Sequence, residues 1–155
     1  LACLAALNII ANPLKKDLLI ADFGTILSIT KLNSNGSIIG GQLIPGFLTQ
    51  LKSMEQNTKN LKIPKKYDIP TKDFLINTDE AILKGVINSL TGVINSSFNP
   101  LQDILITCGG DSKFLTKFLK NETANIINAP NLVMEGMIIH HRSLNSYSNP
   151  RSATI

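Results

Sequence analysis

Between Leu18 and Ile44 the chain carries three β-rich runs in succession, Leu18–Phe23, Ile26–Lys31 and Ser37–Ile44, separated only by short polar breaks. The first is a continuous apolar run of strand length, as expected of a strand covered on both faces. The second roughly alternates apolar and polar residues. Asn33-Ser34-Asn35-Gly36 lies between the second and third runs. Asn-Gly there is a strong hairpin signal, because both residues tolerate positive φ. Three strands joined this tightly predict an antiparallel meander, which limits what the rest of the chain can build.

Helix and strand patterns alternate downstream. PGFLTQLKSM opens with Pro45, which fits the first turn of a helix, and Phe47, Leu48, Leu51 and Met54 recur at helical spacing. Asn60 to Ile76 carries Pro64, Pro70 and many lysines, and is expected to be a surface loop. Thr78 is the predicted N-cap of the next helix, with Asp79 and Glu80 in the first turn, where the helix dipole favours acids. Ile82, Val86, Leu90, Val93 and Ile94 give that helix one buried stripe ending before Pro100. A strand in DILITC stops at Gly109-Gly110, a helix is expected over Ser112–Leu119, ANIINAP gives a short strand, and a final helix begins near Asn131. Leu1–Ala11 reads as a helix apolar around most of its circumference, so buried or packed on a partner. Ser143–Ile155 is polar and expected to be loose. A meander followed by alternating helix and strand predicts an α/β fold, a mixed sheet flanked by helices.

At 155 residues the chain suggests one domain, or one lobe of a larger protein. Only 5% of residues are aromatic, so Ile, Leu and Val must fill the core. The net charge of +4 mildly favours anionic ligands. Six lysines fall between Lys52 and Lys72 with Tyr67 almost the only aromatic among them, so a solvated loop is expected there and no nucleic-acid partner. Cys3 and Cys108 have neither metal-ligand spacing nor a disulfide framework, and read as reduced, mostly buried thiols of a cytoplasmic protein. His140 and His141 are adjacent, and helix neighbours point about 100° apart, which disfavours a shared metal. Pro13 cuts the apolar opening well short of the roughly 20 residues of a membrane span. No basic segment precedes it, so neither a span nor a signal peptide is expected. The chain begins with Leu and not Met, and reads as a fragment or processed product.

Two breaks can carry chemistry. In ADFGT, a strand delivers Asp22 to its carboxyl end and Gly24 allows a tight turn. Free backbone N–H groups and the Thr25 hydroxyl can cradle phosphate oxygens, and Asp22 can hold a cation that offsets their charge. A plain β-turn with polar residues accounts for the same motif. In CGGDS, Gly109 and Gly110 let a flat ligand approach the backbone, while a simple strand-to-helix turn capped by Asp111 or Ser112 is the alternative.

Order and spacing add to this. An acid-Gly-Thr turn, a hairpin, then GGQLIPG, NTDEAI before a long helix, and GGDS together resemble the type III pantothenate kinase family, which includes the Bvg accessory factors. The resemblance runs from Leu1 to about His140. It implies a ribonuclease H-like lobe of the sugar kinase/actin/heat-shock chaperone superfamily. It further implies ATP-dependent phosphorylation of the primary hydroxyl of pantothenate, the first step towards coenzyme A. The cofactors would be ATP, a monovalent cation (potassium or ammonium), and magnesium with the nucleotide. By the same resemblance Asp22 is the potassium ligand, Gly24 and Thr25 contact ATP phosphates, Gly109 and Gly110 line the adenosine pocket, and Thr78 binds pantothenate. Gly40, Gly41, Pro45 and Gly46 would border the site through backbone alone. Phe23 and Ile26 are bulkier than the residues usual beside such a turn, and Cys108 intrudes before the glycine pair.

The family's Asp-x-Gly-Asn-Thr phosphate loop and its Gly-x-Asp-Arg motif, whose Asp is the general base, have no match in this chain. The base is therefore expected just upstream of Leu1, and the chain is expected to lack catalytic residues and to be inactive alone. The expected organisation is residues 1–16 as a helix linking to a first lobe, 17–140 as the second kinase lobe, and 141–155 as a tail, in a cytoplasmic protein that dimerises with itself when intact. A superfamily kinase acting on a sugar or acetate is a weaker alternative. A truncated non-catalytic relative, serving as a nucleotide-binding or regulatory interaction domain, is the non-enzymatic one.

Overall fold

The computed structural model describes residues 1–9, 16–67, 71–120 and 125–147. A five-stranded sheet organises them, with spatial order β3-β2-β1-β4-β5. β1 (Asp17–Phe23), β2 (Ile26–Leu32) and β3 (Ile38–Pro45) form the antiparallel meander, and β4 (Asp103–Cys108) and β5 (Ile126–Asn128) add in parallel on the other side of β1. The central position of β1 explains its unbroken apolar run. Leu19, Ala21 and Phe23 point to one face, where α2 (Phe47–Asn57), α3 (Thr78–Ser97) and the short α4 (Ser112–Leu115) close the larger core. Leu18 and Ile20 point to the other face, under α1 (Ala2–Ile9) and α5 (Leu132–Tyr147). Adjacent strand residues face opposite ways, so a centrally placed strand must be apolar at nearly every position.

α3 supplies the largest helical contribution, burying Ile82, Leu83, Val86, Ile87, Leu90 and Ile94. Asn77 caps it, its side chain accepting a hydrogen bond from the Glu80 N–H at 3.1 Å. The expected cap, Thr78, is instead the first helical residue, because the Asn amide oxygen one position earlier already satisfies that donor. Pro45 likewise differs from expectation. It ends β3, paired with Ile26, and α2 begins after Gly46. β3 is an edge strand, and an edge tolerates a residue with no N–H to donate.

The hairpin forms where Asn33–Gly36 predicts it, but with another turn. Only Gly36 has positive φ (82°), and Asn35 does not. The Asn33 side chain accepts from the N–H groups of Asn35 (3.0 Å) and Ser37 (2.9 Å), closing a three-residue loop with glycine at the left-handed position. The helix expected over Ser112–Leu119 tightens into a 3-10 turn at Thr116–Phe118, where the Thr116 hydroxyl donates to the Ser112 carbonyl at 2.6 Å. α5 continues to Tyr147, past the expected start of a loose tail at Ser143. Residues 10 and 11 of the expected first helix, residues 68–70 of the lysine-rich loop and residues 148–155 lie outside the described residues. Among the described residues no helix is long and apolar enough to cross a membrane.

Candidate nucleotide and cation site

The parallel pairing of β1 with β4 sets Asp22 beside Cys108 in register, so both sequence breaks emerge at the carboxyl ends of two adjacent strands. Gly109 follows with φ of 87°, a conformation that favours glycine. A Cβ on Gly109 would lie 2.5 Å from both Asp22 Oδ1 and the Phe23 carbonyl oxygen. Two oxygens thus converge on a place kept open by the absence of a side chain. The loop is fastened there by the Asp111 N–H, which donates to the Phe23 carbonyl at 3.2 Å.

Asp22 is half-buried and its carboxylate accepts from the Cys108 thiol. Burial pushes that thiol up to about 12, with the neighbouring Asp22 charge and hydrogen bond adding to the effect and Cys3 contributing least. Cys108 is therefore a neutral donor to Asp22, a role that its intrusion before the glycines did not suggest. Carboxylate and carbonyl oxygens are the donors a hard cation takes. Among the described residues no three His, Cys, Asp or Glu side chains gather as a metal site would need, and the oxygens facing Gly109 are Asp22 Oδ1 and the Phe23 carbonyl.

The turn itself is held from the β3 side. Gly46 N–H donates to the Thr25 carbonyl at 2.8 Å, and the Thr49 hydroxyl donates to the same oxygen at 2.7 Å. A Cβ on Gly46 would overlap the Gly24 carbonyl oxygen, so this glycine permits the close approach. The Thr25 side chain is exposed, with no hydrogen-bond partner among the described residues. Gly110 is also exposed, and a Cβ there would meet nothing within 4 Å. Gly40 is equally open, whereas a Cβ on Gly41 would come 2.6 Å from the Ile29 carbonyl oxygen.

Asp22 and Gly109 are thus in close contact, with Gly24 and Thr25 on the turn that follows Asp22 and Gly110 next to Gly109. Thr78 is the first residue of α3. It is exposed on the first turn of α3, where its neighbours Asn77, Asp79 and Glu80 line a separate cavity of about 400 Å³ with Lys62, Lys65 and Lys66. With Asn77 capping the helix, the Thr78 hydroxyl is not needed for that role.

Phe47, Leu48, Tyr67, Asp111 and Phe114 line an apolar cavity of about 430 Å³ that no local sequence pattern announces. Phe47 meets Tyr67 and Phe114 edge to face, at ring separations of 5.6 and 5.4 Å. Asp111 precedes α4 without capping it through its side chain, and burial raises its carboxyl above the ordinary value. The only sequence signal was an acid following two glycines.

A five-stranded sheet of this order, with an acid-Gly-Thr turn on its first strand beside a Gly-Gly turn on its fourth, is the ribonuclease H-like lobe of the sugar kinase/actin/heat-shock chaperone superfamily. A crystal structure of a Baf family transcriptional activator from Campylobacter jejuni shares the fold, with a TM-score of 0.68 at 21% identity over 92% of this chain and 63% of that one. Residues 1–99 match the type III pantothenate kinase family, and the chain belongs to it. Type III pantothenate kinases of Synechocystis sp. and Christiangramia forsetii are 30% and 32% identical over 79% of this chain, covering 52% and 51% of their own lengths. That of Porphyromonas gingivalis is 28% identical over 78% of this chain and 51% of its own length. The chain spans about half the length of these curated relatives.

Proposed function

We propose that the protein acts as a pantothenate kinase, transferring the γ-phosphoryl group of ATP to the primary hydroxyl of pantothenate, and that this chain supplies the nucleotide and cation site. The convergence of Asp22 Oδ1 and the Phe23 carbonyl on Gly109 is the observation that carries this reading. Phosphoryl transfer depends on positioning and charge neutralisation. Asp22 would hold a monovalent cation, potassium or ammonium, against the phosphates. The Thr25 hydroxyl, with no hydrogen-bond partner among the described residues, would donate to a phosphate oxygen beside Gly24. Gly109 and Gly110 would border the adenosine, and magnesium would accompany the nucleotide. Thr78 would bind pantothenate through its uncommitted hydroxyl. A general base must reach the hydroxyl it deprotonates, and no residue of this chain is assigned that role. The reaction would take place in the cytoplasm, in a homodimer of the intact enzyme.

Calorimetric titration of the chain with ATP and magnesium, in potassium and then in choline chloride, tests the site. ATP should bind more tightly in potassium, and Asp22→Asn should erase the difference. Potassium-independent binding unaffected by Asp22→Asn would overturn the assignment. A chain extended by its native upstream sequence should phosphorylate pantothenate in potassium. Nucleotide binding without phosphorylation by that extended chain would favour a non-catalytic interaction domain.

A further inference from the structure

We propose that Cys108 is a positioning residue for the cation: its thiol holds the Asp22 carboxylate with Oδ1 beside the Phe23 carbonyl over Gly109, and so sets both the affinity and the size preference for the ion. This rests on the cation reading above and goes beyond it, because it assigns the tuning of the site to a residue that does not itself touch the ion.

Asp22 and Cys108 are paired in register on β1 and β4. Each follows an apolar residue of the smaller core by two positions, Ile20 and Ile106, and strand residues two apart share a face. The two side chains therefore stand side by side at the end of that core. Cys108 is fully buried, in a cluster with Ala5, Ala6, Ile20, Ile106 and Leu132. None of these side chains can accept a hydrogen bond. The thiol hydrogen turns instead to the half-buried Asp22 carboxylate, which accepts it.

That bond is the tether of the carboxylate. Among the described residues no N–H or O–H donates to the Asp22 side chain. Its Oδ1 nevertheless lies where a Cβ on Gly109 would be 2.5 Å away, and the Phe23 carbonyl oxygen lies at the same distance from that point. The Phe23 oxygen is fixed by the backbone and by the Asp111 N–H at 3.2 Å, so only the carboxylate is able to turn.

A thiol suits this task. S–H is a weak donor, so it gives the carboxylate a direction and leaves most of its charge to the ion. A cationic donor in the same place would take much more of that charge. Size preference follows from the same constraint. Two oxygens held at a set separation cannot close round an ion smaller than the one they fit, whereas a carboxylate free to turn follows the smaller ion.

The test is calorimetric titration of the 155-residue chain with ATP and magnesium over a series of potassium, and then sodium, concentrations, with choline chloride keeping ionic strength constant. The native chain should gain ATP affinity at lower potassium than sodium. Cys108→Ala should raise the potassium needed for half of that gain by roughly 3- to 10-fold, the worth of one hydrogen bond, and should narrow the difference between the two ions. Cys108→Val, which fills the space without a donor, should do the same. Cys108→Ser, which keeps a donor, should stay closer to the native chain on both measures. Circular dichroism and melting in choline chloride identify the folded variants, and either apolar variant suffices. A native-like potassium requirement in a folded Cys108→Ala or Cys108→Val chain, or a Cys108→Ser chain weakened as much as these, would overturn the positioning role while leaving the cation reading in place. ATP binding by the native chain that ignores potassium would remove both.

Discussion

The Asp22 carboxylate and Gly109, 87 residues apart in sequence, meet so closely that any side chain on the glycine would sit 2.5 Å from Asp22 Oδ1. Gly109 is also held at φ of 87°, where L-residues are strained. Both restrictions come from the parallel pairing of β1 with β4, which brings the end of one strand against the turn leaving the other.

Gly109→Ala should therefore destabilise the fold by about 1–3 kcal/mol from backbone strain alone, and it should also displace the Asp22 carboxylate. Gly110→Ala, with open space around its Cβ, should stay within about 0.5 kcal/mol of the native chain. Urea denaturation of both variants checks the contrast, and equal losses would show that the two glycines are not distinguished in this way.

Cys108 should resist thiol reagents in the folded protein. It is fully buried, and its thiol is pushed up to about 12, so the reactive thiolate is scarce at neutral pH. At about pH 8, labelling followed by mass spectrometry should leave Cys108 unmodified until denaturant is added. The raised value also fixes a sign. Its stabilising contribution is complete below the ordinary value of 9.0 and is lost as pH rises towards about 12.

At the other end of the β1–β4 pair, Asp103 is completely buried, and Lys31 Nζ lies 3.0 Å from its Oδ1. The other carboxylate oxygen accepts from the Asn99 N–H at 2.8 Å. Asp17 is also 3.9 Å from Lys31, so one ammonium serves two acids. Lys31→Met would leave Asp103 buried without a counter-charge. The expected cost is about 2–3 kcal/mol, below the range for a fully buried pair because the Lys31 side chain is 31% exposed. Thermal or chemical unfolding measures it, and adding Asp103→Asn should restore part of the loss.

Asp111 should make stability depend on acid pH. Its folded value is raised above 3.8 by burial, so its favourable contribution is complete below 3.8 and is lost as pH rises through the raised value. Compared with Asp111→Asn, the native chain should lose relative stability as pH rises from 3.8 through the raised value. Melting temperatures of the two proteins across that range provide the measurement, and a constant difference would remove the assigned role of burial.

The readable parts of the fold were those encoded by local pattern. Leu18–Phe23 showed its central position through unbroken apolarity, and the α3 stripe showed its buried side through helical spacing. Boundaries were less legible. Thr78 and Asn77 are both good caps, and only the chain path decided that Asn77 makes the bond. Pro45 fits a helix start or an edge strand equally well, until the ladder with Ile26 settles it. The tail looked loose from Ser143 because its composition is polar, yet the helix runs on to Tyr147.

By itself the sequence determined the succession of strands and helices, the two glycine-bearing breaks and the family, because these depend on residue type and spacing along one dimension. Only the tertiary structure decided that Asp22 and Gly109 meet at the carboxyl ends of neighbouring strands, that the Cys108 thiol donates to Asp22, and that Phe47, Tyr67, Asp111 and Phe114 surround one cavity. Those relationships depend on parallel strand register and on helices returning across the sheet, so residues far apart in the chain become neighbours through packing that no local pattern records.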